Sequence, residues 1–178
     1  MNKKFAWVAA LLLPLAAAAQ DAWPAKAITF VVPYPPGGPT DLMARLIATP
    51  LSQKLNVPVI VENKAGASGN IGTAQVVKAK PDGYTILLAA SGNLTANQYL
   101  YKKLDFDPIK DLAPIMQISK FPLVLEVSEK SPIKSFDDYV KFAKNPDNRA
   151  TFGSASNGSP QHLGAELFQQ AAHVQLNH

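Results

Sequence analysis

Short apolar runs alternate with amphipathic stretches along the first half of the chain. The runs Ile28–Pro33, Val57–Asn63 and Tyr84–Ala90 are largely apolar at consecutive positions, which is typical of parallel strands that are covered on both faces. Residues 40–55 and 70–80, which lie between these runs, carry apolar side chains at helical spacing. This order of strands and helices predicts right-handed crossovers and an α/β fold with a doubly wound parallel sheet.

The longer of the two helical stretches has a defined apolar stripe and one irregular residue. Pro50 lies within it and predicts a weakened or kinked helix near Leu46, whose carbonyl the proline ring crowds. The stripe expected to face the core consists of Leu42, Met43, Leu46, Ile47, Leu51 and Leu55.

A proline-spaced region follows the third strand, and the pattern then restarts. It contains one more apolar run, Leu123–Val127, and we interpret residues 119–128 as a crossing into a second lobe. The alternative is a fourth strand and a loop of a single domain. Beyond it, Ser135 with Asp138 at the third helical position predicts a capped helix.

A last helix is expected to begin after Ser159, which is a good N-cap, with Pro160 at the first helical position. A short strand and a Gly/Ser loop precede it, and another strand is expected to begin at Val174. The side chains expected to be buried along this helix are Leu163, Leu167, Phe168 and Ala171.

The N-terminus carries an apolar run of a different kind. Lys3 and Lys4 precede the run Phe5–Ala19, which ends in three alanines of the kind that a signal peptidase accepts. The alternative is a membrane-spanning helix, but the run is shorter than the roughly 20 residues that a span needs, and Pro14 interrupts it. We therefore predict a cleaved signal peptide at residues 1–19. Residues 20–122 would form the first α/β lobe, and residues 123–178 the start of a second lobe.

Charge and cysteine content narrow the class of protein. Removal of residues 1–19 takes two lysines from the 17 basic residues, so the formal charge falls from +4 to +2 against 13 acidic residues. No basic block is present, so a nucleic-acid partner is not expected. The chain has no cysteine, so an exported form would depend on an ordinary apolar core. His173 and His178 lack metal-ligand spacing, and no metal site is expected.

Four loops rich in Gly, Ser, Thr and Asn follow the predicted strands. Their sequences are PYPPGGPTD (33–41), NKAGASGN (63–70), ASGNLTAN (90–97) and GSASNGSPQH (153–162). Ligands of open parallel sheets lie outside the carboxyl ends of the strands, so these loops are expected to converge. Backbone N–H groups, hydroxyls and amides suit an anion such as a carboxylate or a phosphate. The alternative for each loop alone is a plain tight turn that needs glycine.

Enzymatic interpretations find little support in the motifs. GASGNIG is G-x-x-G-x-x-G rather than a dinucleotide fingerprint, and no phosphate-binding P-loop motif is present. Ser159 and His162 invite comparison with a serine hydrolase, yet G-x-S-x-G is absent. Asp41 lies early in the first helix, where a carboxylate either complements the helix dipole or contacts a ligand. We expect no catalytic residue and no cofactor.

The motifs W-P-x-K, P-P-G-G-x-x-D, V-E-N-x-x-G-A-x-G-N, P-D-G-Y-T and G-S-x-x-H-L occur in this order between Trp23 and His178. In this combination the chain resembles the extracytoplasmic solute receptors of tripartite tricarboxylate transporters, the Bordetella-uptake-gene (Bug) or TctC-like family. The resemblance implies a periplasmic protein of the type II binding-protein fold. Its two lobes would close over a small organic carboxylate and deliver it to the membrane permease subunits. A receptor of the same fold that feeds a sensor kinase is the alternative.

Carried over onto the matching positions, the resemblance also implies a set of ligand-binding residues. They come from all four loops and are Pro36, Gly37, Gly38, Asp41, Ala67, Gly69, Asn70, Ser91, Asn93, Ser154, Gly158, Ser159 and His162. Family members continue well beyond a segment like VQLNH, so the second lobe is expected to be incomplete here.

Overall fold

The computed structural model describes residues 22–178 and contains a three-stranded parallel sheet. Strand β1 (Ile28–Val32) leads into helix α1 (Pro39–Leu55), which returns to β2 (Val59–Asn63). Helix α2 (Asn70–Val77) then connects β2 to β3 (Thr85–Leu87). Each strand is shorter than the run that predicted it, because the outer residues of each run lie in the adjoining loops.

The strand order is β2-β1-β3, so the first strand in the chain is central in the sheet. β1 pairs in parallel with both neighbours, with Phe30 opposite Val61 on one side and Ile86 on the other. The chain moves outward from β1 to β2 and then crosses back over β1 to β3. Right-handed crossovers therefore place α1 and α2 on opposite faces of the sheet. The predicted doubly wound α/β arrangement is confirmed for this part of the chain.

The apolar core lies between the central strand and α1. β1 is buried along most of its length, and Ala44 and Ala48 of α1 pack against it. The buried members of this core are Ile28, Phe30, Val32, Ala44, Ala48 and Leu88.

The apolar stripe expected for α1 is confirmed for Ile47, Leu51 and Leu55, which pack against the core, but was wrong for two leucines. The buried face is centred on Ala44 and Ala48, so Leu42 and Leu46 are 54% and 68% exposed instead of facing the core. The small alanines allow the helix to lie close to the sheet, and this choice of face turns the two leucines outward. The helix continues through Pro50 to Leu55, and the kink or weakening expected near Leu46 stays a prediction.

Two short helices that the sequence pattern did not indicate follow β3. They are α3 (Ser91–Thr95) and α4 (Asn97–Leu100). Their polar sequences carry no apolar stripe, and buried Asn93 and Asn97 anchor them instead.

Residues 101–134 form turns and extended backbone without a helix or strand. The fourth strand of the alternative interpretation is not formed at Leu123–Val127, because no neighbouring backbone among the described residues pairs with it. Val124 is 78% exposed and Met116 is 75% exposed. The division into lobes at residue 122 stays a prediction.

The C-terminal unit, residues 135–178, contains α5 (Phe136–Lys144) and α6 (Pro160–Ala172). Both predicted N-caps are confirmed, since Ser135 Oγ accepts from the Asp138 N–H and Ser159 Oγ accepts from the His162 N–H. A small apolar core forms around Ala143, Ala150 and Val174, with Phe142, Phe168, Ala172 and Leu176 packed against it.

The expected stripe of α6 is confirmed for Phe168, which packs against the small core, but no residue of the helix is fully buried. Leu167 is 66% exposed, Ala171 is exposed, and Leu163 and Phe168 are half-buried. The strand expected from Val174 is reduced to a single parallel bridge between Thr151 and Asn177. Within residues 22–178, a single bridge forms no sheet that α6 could cover.

None of the helices within residues 22–178 has the length and apolar character required to cross a bilayer. The signal peptide predicted at residues 1–19 lies outside the described residues.

Candidate functional site

The loop that follows β1 is organised around a buried aspartate. Asp41 is 2% exposed, and its Oδ2 accepts hydrogen bonds from the Gly37 N–H at 2.8 Å and from Arg45 Nε at 3.0 Å. Its Oδ1 accepts from Asn63 Nδ2 at 3.0 Å, and the same amide donates to the Tyr34 carbonyl. Asp41 therefore joins the first loop to the end of β2.

These donors set the electrostatics of Asp41. The Arg45 side chain, followed by the Gly37 N–H and the Asn63 amide, lowers the pKa of Asp41 from 3.8 to about 2. The carboxylate is consequently ionised at neutral pH, with three donors directed at it. These three hydrogen bonds order the first loop against α1 and the end of β2.

A chain of buried hydrogen bonds connects the carboxyl ends of the strands. The Tyr34 hydroxyl accepts from the Ala90 N–H at 3.3 Å and donates to Asn93 Oδ1 at 2.9 Å. Asn93 Nδ2 in turn donates to Thr73 Oγ1 at 2.8 Å, and the threonine hydroxyl donates to the Gly69 carbonyl at 2.9 Å. The loops after β1, β2 and β3 are thus joined at the switch point of the sheet, where ligands of open α/β sheets bind.

Burial raises the pKa of Tyr34, against the smaller opposing effect of its hydrogen bond to the Ala90 backbone. The phenol stays protonated over the physiological range. It can therefore donate to Asn93 at all such pH values.

The loop of the C-terminal unit that precedes α6 lies against these same loops. Ser68 Oγ donates to the Asn157 carbonyl at 2.7 Å. A Cβ on Gly92 would collide with the Gly158 carbonyl oxygen, and a Cβ on Gly158 would lie 2.7 Å from Asn97 Oδ1. Gly92 therefore allows the two backbones to approach closely, and Gly158 leaves room for the side chains of Asn97 and Leu100.

His162 and Ser159 both stabilise this loop, but the bonds that do so do not join the imidazole ring of His162 to the hydroxyl of Ser159. The Gly158 N–H donates to His162 Nδ1 at 3.1 Å, and the Ser159 hydroxyl accepts from the His162 backbone N–H at 3.2 Å. A hydrolase would need the imidazole to receive the serine proton. Here the ring orders the Gly158 turn, and the hydroxyl caps α6.

The structure brings most of the predicted ligand residues to one edge of the sheet, at different depths. The buried ones are Asp41, Gly69, Asn70, Asn93, Gly158 and Ser159. The half-buried ones are Gly38, Ser154 and His162, and the exposed ones are Pro36, Gly37, Ala67 and Ser91. Their contact with a ligand stays a prediction.

The prediction from sequence missed several residues that hold these loops. Asn63 could have been noticed, since it is a polar residue that closes an apolar strand. Thr73, Asn97 and Tyr101 carry no sequence signal, because their partners are distant along the chain.

A cavity of about 500 Å³ lies between one face of α2 and residues 101–106. Ala67 and Asn70 line one end of it, and Lys78 and Lys103 are also among its lining residues. Within residues 22–178, no group of three or more His, Cys, Asp or Glu side chains is arranged to hold a metal ion.

Residues 43–178 match the protein family TctC, which is described as "Tripartite tricarboxylate transporter family receptor". The chain belongs to the TctC receptor family. This TctC-type chain is 39% identical over 96% of its length to a UPF0065 protein of Agrobacterium vitis, of which it covers 50%. It is also 38% identical over 88% of its length to BugT of Bordetella pertussis, of which it covers 48%.

Solved structures share the fold. The protein Rpa4515 of R. palustris, solved with adipate, matches 87% of the TctC-type chain at 34% identity and a TM-score of 0.81. MatC of Rhodopseudomonas palustris, solved with bound malate, matches 86% at 29% identity and a TM-score of 0.78. The periplasmic binding protein BugD matches 87% at 33% identity and a TM-score of 0.72. The expected family and its periplasmic-binding-protein fold are confirmed.

The chain spans about half the length of the relatives that it matches, covering 52% of the Rpa4515 structure and 50% of the A. vitis protein. Its similarity therefore concerns one half of a receptor.

Proposed function

We propose that the protein is a periplasmic solute receptor that binds a small organic dicarboxylate and delivers it to the permease of a tripartite tricarboxylate transporter. The observation that carries this proposal is the convergence of neutral loops at the switch point of the sheet. The four loops at residues 33–41, 63–70, 90–97 and 153–162 meet at one edge, and their two charged side chains are both paired, Asp41 with Arg45 and Lys64 with Glu62.

Such loops suit a carboxylate that must later be released. Helices α1, α2 and α6 begin at these loops, and N–H groups at helix N-termini attract anions. Neutral donors bind an anion without a buried counter-charge that would hold it permanently. Two structural neighbours were solved with adipate and malate, both dicarboxylates, which supports this substrate class.

Within this function, we assign the predicted ligand residues two kinds of role. Ser91, an exposed residue of the third loop, would offer a donor to the ligand, and Gly37 would shape the first loop, since its N–H already donates to Asp41. Asp41 and Asn93 would hold those loops in position, since their polar atoms already have partners within the protein.

Isothermal titration calorimetry on the purified chain tests the proposal. Adipate and malate are expected to give saturable heats, and hexanoate, which keeps the chain of adipate but one carboxylate, is expected to bind at least about tenfold more weakly. Saturable binding of a sugar or a cation without any response to di- or tricarboxylates would contradict the proposal. Delivery is tested by uptake of labelled adipate into vesicles that contain the permease, with and without the receptor.

A further inference from the structure

The turn after β2 adopts a conformation that part of its sequence disfavours. Gly66, Ala67, Ser68 and Gly69 have φ values of +130°, +46°, +55° and +90°, so four consecutive residues lie at positive φ. Glycine accepts this region at no steric cost, but alanine and serine do not. Such a backbone persists only where surrounding contacts hold it.

Ser68 makes those contacts. Its Oγ donates to the Asn157 carbonyl at 2.7 Å and accepts from the Tyr101 hydroxyl at 2.8 Å. Its own carbonyl accepts from Asn97 Nδ2 at 3.1 Å. The hydrogen bond to Asn157 spans 89 positions of sequence and joins the sheet to the C-terminal unit.

The surroundings of this link are built for close contact. Gly158, directly after Asn157, packs on Asn97 and Leu100 with no space for a Cβ. Asn97 is fully buried, and its Oδ1 has no hydrogen-bond partner among the described residues. Burial of Asn97 Oδ1 without a partner is unfavourable where the two loops meet. The hydrogen bonds of Ser68 help to offset this cost.

We propose that Ser68 is a positioning residue that fixes the distance between the two halves of the ligand site. The residues predicted to bind ligand flank both ends of the link, with Ala67 and Gly69 beside Ser68, and Gly158 beside Asn157. This inference rests on the proposed function, because enclosing a carboxylate requires these two loops to be held at a fixed spacing.

The left-handed conformation makes the proposal testable with one substitution. Ser68→Gly removes the hydroxyl and also relieves the backbone strain, so the link is lost while the overall stability of the chain changes little. Asn56→Gly is the matched control, since Asn56 has φ +54° at the end of α1, at the opposite edge of the sheet. It makes a change to glycine at a similar φ without touching the link.

Two measurements on the purified chain separate the effects. Neither glycine variant is expected to shift the urea midpoint strongly, because the relief of strain in Ser68→Gly is offset by its two lost hydrogen bonds. Only Ser68→Gly is expected to speed amide hydrogen exchange in residues 154–163 and to weaken adipate binding, by about five- to tenfold for the loss of two hydrogen bonds. Tyr101→Phe, which removes one of the two, should give a smaller change in the same direction.

The exchange measurement needs no ligand, so it decides the positioning role independently of the proposed function. Exchange of residues 154–163 that is the same in Ser68→Gly and Asn56→Gly would overturn the proposal. A parent chain that gives no heat with adipate would instead count against the proposed function.

Discussion

Thr73 offers a direct test of whether the buried polar chain holds the loops together. Its side chain is fully buried, and its hydroxyl both accepts from Asn93 Nδ2 and donates to the Gly69 carbonyl. Thr73→Val keeps the shape of the side chain but removes both hydrogen bonds. Thr73→Ser is the matched control, since it keeps the hydroxyl and removes only a methyl group.

The magnitudes differ enough to be measured. The valine variant loses the hydrogen bond to the Gly69 carbonyl, which contributes about 1 kcal/mol. It also leaves the buried Asn93 amide without its acceptor, which costs about 1–3 kcal/mol, so the free energy of unfolding should fall by about 2–4 kcal/mol in total. The serine variant loses the burial of one methyl group, about 1 kcal/mol. The expected order of stability is therefore parent, serine, valine.

Equilibrium unfolding in urea, followed by circular dichroism, measures these differences. The slope with urea should be the same for all three proteins, so that a change in midpoint reports stability. A valine variant that is as stable as the serine variant would refute the reasoning, since it would show that the hydroxyl contributes nothing. Adipate titration of the same proteins should rank them in the same order, because Asn93 and Gly69 adjoin the candidate site.

Three further predictions concern other parts of the chain. Because the pKa of Asp41 is lowered to about 2, its ionised form stabilises the fold fully above about pH 4, and this contribution is lost as the pH falls toward 2. Urea midpoints measured from pH 6 to 2.5 should show this loss in the parent and a smaller loss in Asp41→Asn. Gly158 has φ +76° and no space for a Cβ, so Gly158→Ala should lower the free energy of unfolding by at least about 1–2 kcal/mol and weaken adipate binding. Gly153→Ala is the control, since a Cβ there would have nothing within 4 Å, and it should leave both the urea midpoint and the affinity from calorimetric titration unchanged. The Val124 side chain is 78% exposed, so Val124→Lys should change the free energy of unfolding by no more than about 0.5 kcal/mol. The variant should also bind less of an apolar dye and scatter less light, whereas a clear loss of stability would show that Val124 is packed in solution.

Local sequence was sufficient for the features that depend on neighbours within a few residues. The strands of the sheet follow from consecutive apolar positions. The helix caps follow from Ser135 and Ser159, because each hydroxyl accepts a hydrogen bond from the backbone N–H three residues later. The order of strands and helices was enough to predict the doubly wound sheet, because right-handed crossovers leave few arrangements. The order of the motifs was enough to identify the family.

Tertiary structure decided which face of a helix is buried and which extended segment becomes a strand. Leu42 and Leu46 fit the apolar pattern of α1, yet the alanines at 44 and 48 allow closer packing and take the buried face. Leu123–Val127 has the composition of a strand, but a strand exists only with a hydrogen-bonded neighbour, and none of the described residues provides one.

The sequence alone also determined where the candidate site would lie, since loops at the carboxyl ends of parallel strands meet at one edge. It could not determine what holds those loops. Asp41 was expected to complement the helix dipole or to contact a ligand, and only the fold showed that Gly37, Arg45 and Asn63 surround it. The link from Ser68 to Asn157 joins residues 89 positions apart, and no local pattern can encode a contact whose partner is chosen by packing.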